Sequence, residues 1–173
     1  MIKKLFCLLL AVLLGAALCS CSKVSYDMSD YESEVKSNDL LPNLSQLGSY
    51  TSVGSMHYHD SGFIYSADAY TLTVGYEKND YESTKKGFLN GCKFQSSEIK
   101  DESGTKPYEF EYNGYTFKLF DFDYYSMSYP KEIYMMGYSD DNYELCFVYF
   151  KDSGLDSISG GFDDFLVDHC GWK

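Results

Sequence analysis

The chain contains no arginine: all 14 of its basic residues are lysine. That removes the planar guanidinium fork which grips carboxylates and phosphates in bidentate fashion, so phosphoryl chemistry loses its usual clamp. Positive charge is scarce in any form, since 26 acidic residues outweigh those 14 and set a formal net charge of −12. Binding to polyphosphate is driven by counterion release at cationic contacts, so this balance argues against nucleic acid and anionic lipid as partners. Short catalytic signatures are missing as well. No Cys-x-x-Cys or Cys/His spacing marks a structural zinc site, and no Gly-x-Ser-x-Gly elbow marks a serine hydrolase. Ser159-Gly160-Gly161 lacks the lysine and the spacing of a phosphate loop. One tryptophan and three prolines leave the 18 tyrosines and 12 phenylalanines as the dominant large residues, a composition suited to pleated sheet surfaces.

The longest apolar run, Leu5 to Leu18, stands directly behind Lys3 and Lys4. At about 14 residues it falls short of the roughly 20 that span a bilayer core, and it fits the hydrophobic region of a secretory peptide. An uncleaved membrane anchor is the competing reading; the short run and the small residues Ala16, Ala17 and Ser20 argue against it. Leu18-Cys19-Ser20-Cys21 resembles the lipobox of bacterial lipoproteins, in which a large aliphatic residue stands three places before the lipidated cysteine and a small one immediately before it. Cys19 follows the bulky Leu18, whereas Cys21 follows Ser20 with Leu18 three back, so the resemblance implies Cys21 as the lipidation residue. The resemblance covers residues 1–22. It implies that residues 1–20 are cleaved as a signal peptide and that the Cys21 thiol carries a diacylglyceryl group. It also implies that the acyl chains, palmitate or similar, hold the protein on the outer face of the bacterial cytoplasmic membrane. Two chains suffice for stable residence where one gives marginal binding.

Without residues 1–20 the remaining 153 residues carry a net charge of −14. Residues 21–39 are polar and acidic without a sustained apolar period, the composition of a lipidated N-terminus and flexible tether. Residues 40–173 suit a single domain. Leu40, Leu41, Leu44 and Leu47 around Pro42 predict one short amphipathic turn capping its core. Cys92, Cys146 and Cys170 are odd in number, so they do not pair completely: either one disulfide and a free thiol form, or all three stay unpaired.

Strand signals dominate this domain. Tyr70, Leu72, Val74 and Tyr76 alternate with Thr71, Thr73 and Gly75, the period of a half-buried strand. Ser52 to His59 and Phe63 to Ser66, around Asp60-Ser61-Gly62, predict a preceding hairpin. Tyr81 to Asn90 predicts a helix capped by Asn79-Asp80, with Tyr81, Phe88 and Leu89 inward and Gly91 at its end. Asn113-Gly114 predicts a type I′ hairpin turn, which sets Tyr112 opposite Tyr115, Phe110 opposite Phe117 and Glu109 opposite Lys118. Glu132 to Tyr138 and Tyr143 to Phe150 predict a second hairpin, whose second strand is apolar on both faces and therefore central. Gly161 to His169 predicts a short helix through Phe162, Phe165, Leu166 and His169. The fold class is α+β: a mostly antiparallel sheet of hairpins with two short helices packed on it.

Few residues carry candidate chemistry. His57-Tyr58-His59 projects two imidazoles from one face of a strand, a spacing that zinc ligands use, and with Asp60 it resembles a fragment of the HxHxDH pattern of metallo-β-lactamases. The rest of that pattern is absent, as is the length of that fold. Asp121/Asp123, Asp140-Asp141-Asn142/Glu144 and Asp152/Asp156 offer oxygen ligands to calcium, without the EF-hand order of donors. Among the aromatics, Tyr124, Tyr125, Tyr129, Tyr134 and Tyr138 are the expected exposed group, suited to stacking on sugar rings or burying a partner's side chains. The reading is a lipid-anchored extracytoplasmic domain acting by non-covalent binding of a protein or glycan, or as an accessory of an envelope complex, with no cofactor assigned beyond the lipid, calcium or zinc left open, and no catalytic residue assigned. The competing class is a surface hydrolase or metal-dependent enzyme using the His57/His59 region. Intact-mass measurement of the membrane fraction should find residues 1–20 missing and a lipid adduct on Cys21; an unlipidated protein starting elsewhere contradicts the anchor.

Overall fold

In a computed structural model of the chain, which describes residues 21–61, 66–96, 99–101, 104–106, 108–120 and 131–153, the apolar run Leu145–Phe150 takes the centre of the sheet. It belongs to β9 (Glu144–Asp152), the middle strand of seven. The others are β1 (Cys21–Ser25), β2 (Ser52–Ser61), β3 (Ser66–Gly75), β6 (Glu109–Tyr112), β7 (Tyr115–Leu119) and β8 (Lys131–Ser139), in the order β1-β2-β3-β9-β8-β7-β6. Every pairing is antiparallel. β4 (Ile99–Asp101) and β5 (Gly104–Lys106) form a separate two-stranded ladder. The helices are α1 (Met28–Val35) and α2 (Lys78–Gly91), with a 3-10 turn at Leu44–Gln46. This is an α+β arrangement of a mostly antiparallel sheet and two helices.

Both faces of the sheet carry apolar side chains. On one, Leu72, Val74, Met136, Leu145, Phe147 and Tyr149 meet Tyr31 of α1, Tyr81 of α2, and Leu41 and Leu47 beside the 3-10 turn. On the other, Tyr58, Ala69, Phe117, Leu119, Met135, Val148 and Phe150 pack together, with Phe110, Tyr112 and Tyr115 folded against them. Each fully buried large side chain contributes about 1.5–3 kcal/mol, so β9, hidden on both sides, is the most heavily invested strand.

Several expectations hold. The Asn113-Gly114 turn has positive φ at both residues, 50° and 78°, and pairs Glu109 with Lys118, Phe110 with Phe117 and Tyr112 with Tyr115. A short 3-10 turn forms at Leu44–Gln46 within the stretch where the leucines around Pro42 predicted one, and Leu41 and Leu47 beside it are buried. The α2 helix includes the expected 81–90 stretch, with Tyr81 fully buried and the Phe88 ring 4.9 Å from that of Phe147, but it starts at Lys78 with Glu77 as N-cap, so Asn79 and Asp80 lie within it instead of capping it.

Other expectations are corrected. Residues 21–39 are not a tether throughout: Cys21–Ser25 is an edge strand paired with β2, and Met28–Val35 is a packed helix. Asp27 caps that helix by accepting from the Ser29 N–H at 2.9 Å. Tyr31 is buried and its hydroxyl donates to the Pro42 carbonyl at 2.9 Å. Three apolar residues at i, i+3 and i+7, namely Met28, Tyr31 and Val35, suffice because the sheet supplies the partner surface. The stretch read as three strands between Ser52 and Tyr76 is one long hairpin of two, with Ser61 opposite Ser66 instead of a turn at Asp60-Ser61-Gly62. The helix predicted at 161–169 lies outside the described residues.

Two glycines of the sheet differ in what surrounds them. A Cβ on Gly137 would lie 2.6 Å from Phe117 Cε1, whereas a Cβ on Gly54 meets nothing within 4 Å. Urea denaturation should therefore find Gly137→Ala destabilised by about 1–3 kcal/mol through overpacking. Gly54→Ala should gain about 0.5–1 kcal/mol by stiffening the strand.

Candidate functional site

The helix-covered face is organised in rows that run across the strands. Register pairs His57 with Tyr70, Tyr70 with Tyr149 and Tyr149 with Tyr134, so four rings from β2, β3, β9 and β8 form one ladder. His57 stacks on Tyr70 at 4.1 Å between centroids and 7° between planes, and Tyr149 stacks on Tyr134 at 4.4 Å. Asn38 donates to the Tyr134 hydroxyl at 2.7 Å. Burial pushes the Tyr134 phenol up to about 12 and raises that of Tyr149 as well, with Glu34 of α1 adding negative charge to both. Neither ring is offered to a ligand. Tyr134 is 7% exposed, so its expected place among the exposed tyrosines is corrected: β8 turns it toward the helices, where it stacks. Tyr138 is half-buried beneath Lys85, whose Nζ lies 5.5 Å from its ring centre. Tyr124, Tyr125 and Tyr129 lie outside the described residues.

The next row holds charge. Lys23, His59, Asp68, Lys151 and Glu132 are successive register partners across β1, β2, β3, β9 and β8. Asp68 Oδ1 receives both imidazoles, 2.8 Å from His57 Nε2 and 2.7 Å from His59 Nδ1. The other nitrogen of His57 lies 3.9 Å from Asp30 on α1. The two histidines singled out by their spacing thus meet a carboxylate, and it is Asp68 from across the hairpin, not the neighbouring Asp60, which is buried on the opposite face of β2. Alternation in β3 puts Asp68 on the same face as Tyr70 and Leu72, but only the register shows which residue it opposes.

The acidic turn after β8 does not gather its carboxylates. Asp140 accepts from Tyr81 and Lys85, which hold it below the usual carboxylate range, while Glu144 accepts from the Tyr115 hydroxyl at 2.5 Å. Asp121, Asp123 and Asp156 lie outside the described residues.

The opposite face contains a groove of about 440 Å³. Its floor is Met56, Thr71, Cys146 and Val148; one wall is Val24, Tyr26 and Tyr58, the other Tyr112, Asn113, Tyr115 and Phe117. None of the described residues lining it is charged. Val24 and Tyr26, at 47% and 75% exposure, leave apolar surface in water along one wall. The sequence hid this site, because its walls come from the two ends of the sheet and meet only when the strands curl. Compared with family models, curated proteins and solved structures, the chain finds no match in any of the three.

Cys146 on the groove floor is a free thiol, and burial pushes it up to about 11. Thiolate is the reactive form, so at pH 8 the folded protein should leave Cys146 unmodified by a disulfide reagent and release it on denaturation. Mapping the modified cysteines by mass reads this directly; prompt labelling of native Cys146 contradicts the burial.

Proposed function

We propose that the protein is a lipid-anchored extracytoplasmic domain, held through Cys21 on the outer face of the cytoplasmic membrane, that binds a compact, uncharged and mostly apolar ligand. The groove is the observation that carries this reading. Its volume of about 440 Å³ falls within the roughly 300–1,000 Å³ usual for small-molecule sites. The four tyrosines on its walls present apolar ring surface to a ligand, and the Tyr115 hydroxyl is already held by Glu144. An anion is disfavoured twice: no described lining residue carries a positive charge, and the chain as a whole is strongly negative. The ligand class narrows from a protein or glycan in general to a small molecule, or a side chain of similar size, with little charge.

Catalysis is the weaker reading. A hydrolase or metal-dependent enzyme built on His57 and His59 needs a cleft beside them, and the groove that carries the present reading lies on the opposite face of the sheet from both histidines. Titration with the uncharged dye N-phenyl-1-naphthylamine tests the binding reading. Its fluorescence should rise to saturation with the wild-type protein, and Thr71→Trp, which fills the groove from its floor, should abolish the rise while circular dichroism shows the sheet retained. Saturable dye binding that survives Thr71→Trp in a folded protein would place the ligand elsewhere.

A further inference from the structure

We infer that His57, His59 and Asp68 form a site for a divalent late transition ion, of which zinc is the representative. This site stands on the helix-covered face and does not depend on the groove. Three observations build it. His57 and His59 leave β2 on the same face, and Asp68 is the register partner of His59 on β3, so the backbone ladder of a long hairpin fixes all three. One potential ligand atom from each residue lies within 4.8 Å of the other two. The exposures of His57, His59 and Asp68, at 20%, 37% and 24%, leave the cluster open to solvent on one side.

The contacts are those of a ligand set without its ion. Asp68 Oδ1 stands 2.8 Å from His57 Nε2 and 2.7 Å from His59 Nδ1, with protons holding the three atoms together. In a tetrahedral zinc site each ligand atom lies about 2.0–2.2 Å from the metal, which separates ligand atoms by roughly 3.3 Å. Opening these contacts by about half an ångström asks only for small side-chain rotations. Each neutral imidazole then carries its proton on its other ring nitrogen, His57 on Nδ1 and His59 on Nε2, which frees His57 Nε2 and His59 Nδ1 for the ion, and the exposed side supplies a water as fourth ligand. Two imidazoles and one carboxylate suit zinc and its late first-row neighbours better than calcium or magnesium, which prefer all-oxygen shells.

The surroundings orient the ligands. The His57 ring is stacked on Tyr70, and its Nδ1 faces Asp30 Oδ2 at 3.9 Å. A carboxylate behind a ligating histidine fixes the tautomer that leaves the other nitrogen free for metal, and its loss typically weakens affinity by about 10–100-fold. At 3.9 Å Asp30 stops short of a hydrogen bond to Nδ1 in this arrangement, and it takes the positioning role once the metal on Nε2 places a proton on Nδ1 facing it. The negative chain also raises the local concentration of cations.

The test is a calorimetric titration of the membrane-purified, chelator-treated protein with zinc chloride. One equivalent should bind in the wild type. His57→Ala, His59→Ala and Asp68→Asn should each lose that binding, and Asp30→Asn should keep the stoichiometry with affinity weaker by about 10-fold. Nitrogen chemical shifts of the wild-type histidines provide a readout that needs no variant: zinc should move His57 Nε2 and His59 Nδ1 and leave His169 unchanged. Absence of heat with zinc overturns the site. So does stoichiometric binding that persists in the His57→Ala/His59→Ala double variant, or zinc shifts that appear on His169 instead.

Discussion

A strand that is apolar on both faces cannot be stable at the edge of anything, and β9 imposes that constraint on the whole domain. Leu145, Phe147 and Tyr149 point one way and Cys146, Val148 and Phe150 the other, so two layers must exist to cover them. The helices answer on one side. On the other the described cover comes from the sheet itself, as Phe110, Tyr112 and Tyr115 at the β6–β7 end pack against the same cluster. Covering one face by folding the sheet toward itself creates the groove, because strands that approach at their rims leave a gap over the middle. The groove is thus a consequence of how the sheet is covered.

The two faces differ chemically as well. Under α1 the rows are graded, from Leu72, Phe147 and Met136 through the ring ladder of His57, Tyr70, Tyr149 and Tyr134 to the charged row ending at Glu132. Tyrosine is the natural residue for the middle row, since its ring belongs to the core and its hydroxyl reaches the polar boundary where Asn38 meets it. His57 occupies the same row with a ring of similar shape. Its stacking on Tyr70 is structural, and the orientation this gives the imidazole is what directs Nε2 toward Asp68. Packing and the geometry of the proposed metal site coincide there.

What the sequence revealed depended on whether the deciding interaction was local. Asn113-Gly114 dictates its register through two positive φ angles, so the β6–β7 pairing was legible residue by residue. The double-sided pattern of β9 was legible because composition alone records it. The β2–β3 register was not. A turn at Asp60-Ser61-Gly62 sets His59 opposite Phe63, whereas the observed register sets it opposite Asp68, and that shift separates an isolated histidine pair from a ligand cluster. The α1 helix was missed for a related reason: Met28, Tyr31 and Val35 are too few to predict a helix in isolation, and their partners are the far-off Leu41, Leu47 and Leu72. The signal that remained was Asp27 as a cap followed by that i, i+3, i+7 spacing.

With Cys21 as the proposed anchor, the pairing of β1 changes how the domain meets the membrane. A flexible tether would let an acidic domain stand well beyond the Debye length of about 8 Å and so escape repulsion by anionic headgroups. Here the anchor residue is the first residue of an edge strand, and little slack separates lipid from sheet. Val24 and Tyr26 follow Cys21 by three and five residues, about 10–17 Å of extended chain, so the exposed wall of the groove stands near the bilayer surface. Two buried acyl chains outweigh the screened repulsion, because each methylene contributes about 0.8 kcal/mol while surface charges interact weakly in salt. Uncharged apolar molecules partition toward the same interface, whereas anions are turned away by headgroups and protein alike. The proposed close anchor and the uncharged groove therefore favour the same class of ligand.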